Sequence, residues 1–324
     1  MFPHSNNQNH QSHLRLFFSL SDDKIYRISL PEASTVRRRC GSSHGWLVYL
    51  EETPAVFVIN PLTRVKHHLP PLCSFPNVVN FSVYNVGREY TLKTVEGDVY
   101  TCSLKEMRNS LLKKWCFRRV RLMRIWIIMR LRLLTRRVIL RTVGRGMMFG
   151  GCFYAVSKYG TIAVCDICGD LPNGVPNISF IHMPLQVGGD MQYLVSLGDE
   201  LLLVTQYLEL GFHAYKTTEF RVFKLVLKDG WMWKSVVELD DWALFVGENS
   251  SVAIRASDFE GCKGNKIYFT DDYSEWNYDG ANGDHDLGVY DLEDGSVAAL
   301  PCYTRKFYNG RRWSPPIWIT PSLH

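Results

Sequence analysis

Cys165-Asp166-Ile167-Cys168 places two thiols at the spacing used by zinc and redox sites. A zinc ion takes four ligands, and the sequence has neither a second Cys-x-x-Cys nor a His-x-x-x-His to complete the set. A redox pair needs a helix N-terminus to lower its thiol pKa, whereas this pair ends a strand pattern and reads as structural. His44 lies within Gly41-Ser42-Ser43-His44-Gly45-Trp46. Ser42 and Ser43 are neighbours, but no Gly-x-Ser-x-Gly elbow is present, which excludes the hydrolase reading. The small residues predict close backbone packing, with the imidazole bonded to a backbone group. Glu275, Asn277, Asp279, Gly280 and Asp286 fall at positions 1, 3, 5, 6 and 12 of a calcium-loop count. Glu at the first position and Asp at the last fit poorly, and helices are not expected on either side. A flexible loop between strands is the reading. His67-His68 and His4, His10 and His13 lack a matching ligand frame and read as surface residues. There is no Walker loop and no Gly-x-Gly-x-x-Gly after a strand, so nucleotide chemistry has no support. No catalytic residue, metal or cofactor is expected, and the chain is not read as an enzyme.

Composition narrows the class further. Of 324 residues, 46% are hydrophobic and 21% charged, as in ordinary globular proteins. Aromatics reach 13%, which favours pleated strands. The formal charge of +5 comes from one stretch. Lys113 to Arg145 holds twelve Lys/Arg and no Asp/Glu; setting those twelve aside from the 37 leaves 25 basic against 32 acidic residues. Nucleic-acid binding is therefore not expected of the domain, because a basic footprint should cover a folded face. The nine cysteines, Cys40, Cys73, Cys102, Cys116, Cys152, Cys165, Cys168, Cys262 and Cys302, are odd in number and mostly isolated. They predict free, largely buried thiols in a reducing compartment. Met1 to His13 is polar with no apolar h-region, so a cytoplasmic or nuclear, non-secreted protein is expected. Ile125 to Leu140 is interrupted by four arginines, each costing about 2.5–3.5 kcal/mol at mid-bilayer, so no membrane span is expected.

Hairpins must hold whatever site exists. Leu16–Leu20 faces Lys24–Ile28 across Ser21-Asp22-Asp23, and Tyr90–Val95 faces Val99–Thr101 across Glu96-Gly97-Asp98. Phe153–Val156 faces Thr161–Val164, and Tyr193–Leu197 faces Leu201–Val204 across Gly198-Asp199. Phe220–Leu227 turns through Lys228-Asp229-Gly230 to Trp231. Gly and Asp supply the positive φ that tight hairpins need. Ser103-Leu104-Lys105-Glu106 has capping-box spacing for a short helix. Similar strands recur from Tyr100 by steps of 54, 48 and 66 residues to Tyr154, Leu202 and Tyr268. These steps point to an all-β, β-propeller-like fold of roughly 5–7 short-stranded blades, in which radial closure covers the sheet edges. A pair of β-sandwiches is the alternative. The predicted organisation is a disordered tail over 1–13 and one domain over 14–324.

Several strings, in order, carry a family resemblance. They are Gly41-Ser42-Ser43-His44-Gly45-Trp46-Leu47, Asn60-Pro61-Leu62-Thr63, Leu69-Pro70-Pro71-Leu72 and Ala243-Leu244-Phe245-Val246-Gly247. Ser257-Asp258-Phe259-Glu260-Gly261-Cys262-Lys263-Gly264-Asn265-Lys266-Ile267-Tyr268 and Pro315-Pro316-Ile317-Trp318-Ile319 follow. The chain resembles the plant F-box-associated KIB-type family, also filed as a domain of unknown function, over roughly Leu16–Lys114 and Met148–Pro321. The resemblance implies a β-propeller that binds a protein client for a ubiquitin ligase. Family members place an F-box ahead of it to dock the Skp adaptor. No F-box pattern precedes Leu14, so Skp docking is not expected of the chain as written. Gly41, His44, Gly45, Trp46, Asp258, Gly261 and Gly264 are its expected structural positions, and Trp276 and Tyr278 its expected partner-binding anchors. Docking to and inhibiting a kinase, or a degenerate paralogue without function, are the alternatives. The basic segment at 115–147 departs from the family pattern and predicts one blade disrupted by helical or irregular chain. A mis-spliced reading, a nuclear-targeting run, an amphipathic surface helix and an RNA-binding arm all fit its composition.

Overall fold

Leu201-Leu202-Leu203-Val204 shows how the molecule stacks. Leu201 and Leu203 pack against one neighbouring sheet with Tyr154, Val156 and Ile162, while Leu202 and Val204 pack against the other with Leu244 and Ile267. A strand buried on both faces has no need of apolar–polar alternation. Such strands belong in sheets stacked face to face.

The computed structural model describes residues 2–3, 13–33, 38–43, 45–50, 55–69, 78–81, 89–93, 99–103, 143–157, 160–166, 177–183, 188–211, 215–227, 230–247, 251–272, 285–300 and 316–320. Among them lie six sheets in chain order. Sheet 1 joins β1 (Phe2–Pro3), β2 (Leu14–Ser19) and β3 (Lys24–Ser29). Sheet 2 joins β4 (Arg38–Ser43), β5 (Trp46–Leu50), β6 (Val56–Ile59) and β7 (Lys66–Leu69). Sheet 3 joins β8 (Val78–Phe81), β9 (Glu89–Lys93) and β10 (Val99–Ser103). Sheet 4 joins β11 (Val143–Phe149), β12 (Cys152–Ser157), β13 (Ile162–Asp166) and β14 (Asn177–Ile181). Sheet 5 joins β15 (Met191–Leu197), β16 (Glu200–Leu210), β17 (Tyr215–Leu227) and β18 (Trp231–Val236). Sheet 6 holds β19 (Trp242–Val246), β20 (Val252–Arg255), β21 (Lys266–Phe269), β22 (Gly288–Asp291) and β23 (Val297–Ala298), in the order β20-β19-β21-β22-β23. β15 lies against β11 of sheet 4 and β20 of sheet 6. The architecture is a β-propeller; four of the described sheets have four or more strands, so the count of full blades differs slightly from the 5–7 expected.

The expected hairpins form, with Phe17 opposite Tyr26, Thr91 opposite Thr101 and Val195 opposite Leu202. Asp23 and Gly198 turn the chain at positive φ of 52° and 60°. Ser103, expected to cap a helix, ends strand β10, and the residues after it lie outside the described set. Phe2–Pro3, within the tail expected to be disordered, pairs with Arg15–Leu16 of β2. Of the basic segment, Val143–Met147 enters β11, which runs opposite β12, and the remainder lies outside the described residues.

Sheet 6 departs from simple up-and-down order because β19 pairs with β21 in parallel. The chain must therefore cross over between β20 and β21, and the Ser257–Asn265 string does this. A 3-10 turn spans Ala256–Asp258, and Asp241 holds it by accepting from the Ser257 amide (3.1 Å) and hydroxyl (2.6 Å). Gly261 has φ of 79°, and a Cβ there would run into the Leu20 carbonyl of sheet 1. A Cβ on Gly264 would sit 2.6 Å from the Asp240 carbonyl oxygen. Asn265 accepts the Leu239 amide on its side chain at 2.9 Å.

The segment 316–320 ties the last sheet to the first two. Ile317 is buried in a cluster with Leu30, Leu47, Tyr49, Phe57 and Ile59. Trp318 packs edge-on against Phe245 at 5.0 Å and donates its indole N–H to the Val246 carbonyl at 2.9 Å. Its own carbonyl accepts the Ser42 hydroxyl at 3.0 Å.

Candidate functional site

β16 and β17 extend past their sheet neighbours, at 11 and 13 residues, and residues 212–214 between them lie outside the described residues. The segment between β21 and β22 leaves the sheet at Asp271-Asp272 and re-enters at His285-Asp286. The ends of the two loops are bound together. The Tyr215 hydroxyl donates to Asp271 Oδ1, and Asp271 Oδ2 lies 2.9 Å from His285 Nδ1. Asp286 Oδ2 accepts from both the amide (2.8 Å) and the hydroxyl of Thr217. Thr217 Oγ1 in turn accepts from Gln206 Nε2 at 2.6 Å. Tyr193 on β15 donates its hydroxyl towards Gln206 Oε1 (2.7 Å) and Asp272 Oδ1 (2.9 Å). Strand ends from adjacent blades thus meet in one polar base.

That base is sealed. The Asp271 and His285 side chains are 1% and 4% exposed. Burial pushes the Asp286 carboxyl up to about 6, with the nearby Asp271 charge adding to the shift; the Thr217 hydrogen bonds and the Lys216 charge oppose it. The Asp271–His285 pair resembles the base and orienter of a catalytic triad. Among the described residues, the Tyr215 hydroxyl donates to Asp271 and the Thr217 hydroxyl donates to Asp286. The arrangement ties the described ends of β17, β21 and β22 together.

Most of the expected loop over Asp271–Asp286 lies outside the described residues; at its described ends, Asp271 and His285 are buried. Asp286, counted above as a poor twelfth calcium position, instead accepts from Thr217. Trp276 and Tyr278 lie between the two stems, outside the described residues, as do His44 and Cys168. Gly41 follows a β-bulge between Arg39 and Gly41, and Gly45 turns the β4–β5 hairpin at φ of 83°. The Trp46 and His67 rings meet at 5.4 Å. Asp258 closes the 3-10 turn described above. Cys165 is a free, buried thiol whose pKa burial raises to about 11. Among the described residues, no group of three or more His, Cys, Asp or Glu could hold a metal ion. Among them, too, no helix is long and apolar enough to cross a membrane.

One repeat escaped the sequence reading. Asn60 Oδ1 accepts the Leu62 amide at 2.9 Å, the Arg64 amide bonds the Asn60 carbonyl, and the Asn60 amide bonds the Val65 carbonyl. Asp291 repeats all three bonds with Glu293, Gly295 and Ser296. The fifth residue has positive φ in each, 66° at Arg64 and 72° at Gly295. The same turn thus joins the last two strands of sheets 2 and 6.

The model of the KIB1-4 β-propeller family matches residues 17–291. "F-box protein SKIP23" of Arabidopsis thaliana is 28% identical over 326 residues, spanning 86% of this chain and 74% of its own length. "Putative F-box protein At5g55150", also of Arabidopsis thaliana, is 27% identical over 177 residues. That match covers 53% of this chain and 45% of the relative's length. A chain from a solved S. cerevisiae structure of Dbp5 bound to Nup159, Gle1, IP6 and ADP aligns at 10% identity. It covers 79% of this chain and 59% of its own length, and its TM-score of 0.25 is too low to argue from.

Proposed function

The chain belongs to the KIB1-4 β-propeller family, and we propose that it is a non-enzymatic protein-interaction domain, the client-binding part of an F-box-type ubiquitin-ligase receptor. The observation that carries this reading is that both curated relatives are F-box proteins aligned with this chain. F-box function in turn implies protein partners. The client is proposed to bind near the strand ends that flank 212–214 and 273–284, at Tyr215–Thr217, Asp271-Asp272 and His285-Asp286. Rigid blades hold loop-borne contacts in register, and the hydrogen-bonded stems supply that rigidity here. Trp276 and Tyr278 are the proposed anchors, since buried aromatics dominate interface energies. The proposed compartment is the cytoplasm or the nucleus.

The test has two stages. Proteins crosslinked to the full chain in plant cells are identified, and each is then purified and titrated against the wild type and the Trp276→Ala/Tyr278→Ala variant. A client that binds the wild type, and binds the double variant at least about tenfold more weakly, supports the reading. Equal affinity for both removes these two residues as anchors.

A further inference from the structure

β18 (Trp231–Val236) is the outermost strand of sheet 5, and among the described residues no strand pairs with its outer edge. An unpaired edge offers backbone donors and acceptors to any extended chain, and proteins usually guard it with short strands or charge. The outer strands of sheets 2, 4 and 6 are shorter, with four residues in β7, five in β14 and two in β23. β3 matches β18 in length but carries Lys24 and Arg27, and its Tyr26 is bonded to Asp22 of its own hairpin turn. β18 instead exposes Trp231 (46%) and Met232 (50%). Side chains alternate across a strand, so Met232, Lys234 and Val236 share one face and Trp231 and Trp233 the other. Lys234 stands directly opposite Lys224 of β17, and like charges so placed repel. Lys224 is paired with Glu200 of β16, whereas Lys234 is exposed and has no carboxylate partner among the described residues. Charge across the sheet therefore runs acid, base, base and stops at the edge, where an acid would fit next. On the other face Trp233 is packed and donates its indole N–H to the His182 carbonyl at 3.3 Å, which leaves Trp231 as the exposed ring.

We propose that β18 accepts a fifth strand from a partner protein: an extended segment with Asp or Glu opposite Lys234, an apolar residue two positions away opposite Met232, and an apolar residue beside Trp231 on the alternate face. In strand addition, main-chain bonds supply affinity and the alternating side chains supply selection. The carboxylate relieves the Lys224–Lys234 repulsion, and the apolar residues cover Met232 and Trp231. This site is separate from the proposed client face. That face lies at the Tyr215–Thr217 end of β17, whereas β18 pairs only with Val222–Leu227.

A phage library of random peptides, selected on the full chain, tests this, with the enriched peptides then synthesised and titrated. The expected peptides carry Asp or Glu two positions from an apolar residue and protect the β18 amides from hydrogen exchange. They should bind Lys234→Glu at least about tenfold more weakly. That variant sets opposite charges across β17 and β18, so it is expected to fold. Selection repeated on it should return Lys or Arg where the wild type selects Asp or Glu. Trp231→Ala should weaken binding and leave the acidic preference intact. No enrichment of acidic peptides, an unchanged preference on Lys234→Glu, or Lys234-dependent binding that leaves the β18 amides exchanging freely would overturn the proposal. So would β18 amides that become protected in the free chain as its concentration rises, which would assign the edge to a second copy.

Discussion

Thr217 donates both its amide and its hydroxyl to a single oxygen, Oδ2, of Asp286, a residue 69 positions further along the chain. This fork joins the end of β17 to the strand entry of β22, across two blades.

Asp286→Ala should destabilise the protein by about 1–3 kcal/mol, because it strands the Thr217 amide and hydroxyl in a buried site. The folded-state pKa of Asp286 is raised above its unfolded value. Its stabilising contribution is therefore fully present below about pH 4 and lost as pH rises through about 6. The gap between wild type and variant should be wider at about pH 5 than at about pH 7.5. Urea melts at the two pH values measure this, and a narrower gap at low pH would contradict the sign.

Gly261 and Gly150 both adopt positive φ, at 79° and 52°. A Cβ at 261 meets the Leu20 carbonyl, whereas a Cβ at 150 meets nothing within 4 Å. Gly150→Ala should cost only the backbone term of about 1 kcal/mol. Gly261→Ala should cost more, since sheet 1 must shift from the crossover of sheet 6. Thermal melts of the two variants compare them, and equal melting temperatures would count against the contact.

Trp318→Ala should cost about 3–5 kcal/mol through lost packing on Phe245 and Tyr268. Trp318→Phe, which removes the N–H to the Val246 carbonyl and one of the two fused rings, should cost less than Trp318→Ala but more than the roughly 1 kcal/mol of the lost hydrogen bond alone. If both variants melt like the wild type, the 316–320 segment does not fasten the ring.

Cys165 should resist a maleimide at neutral pH in the native state, reacting at least about a hundredfold more slowly than in denaturant. Its thiol is buried and its pKa raised to about 11, and only the thiolate attacks. Mass spectrometry of the labelled peptide measures the ratio, and fast native labelling would contradict the burial.

The hairpins were legible because their turn chemistry is local: Asp23 and Gly198 announce the bends that the backbone makes. The Asn60 and Asp291 turns were not recognised as one repeat. Asn-Pro-Leu-Thr-Arg and Asp-Leu-Glu-Asp-Gly share a side-chain acceptor and a hydrogen-bond pattern but no residue identity. The parallel pairing of β19 with β21 was hidden too, since Lys266–Phe269 has the composition of a hairpin strand. The buried polar base was the least visible feature. A run of Asp, Asn and Gly reads as solvent-exposed, whereas Asp271 is buried and bonded to Tyr215, 56 residues earlier.

The central claim is client recognition on behalf of a ubiquitin ligase, and client turnover tests it most directly. The half-life of a client identified by crosslinking would be followed in plant cells expressing the wild type or Trp276→Ala/Tyr278→Ala, with and without a proteasome inhibitor. The expected result is a client that disappears faster with the wild type than with the double variant, a difference erased by the inhibitor. A client that binds the wild type yet has the same half-life in every condition would contradict the account.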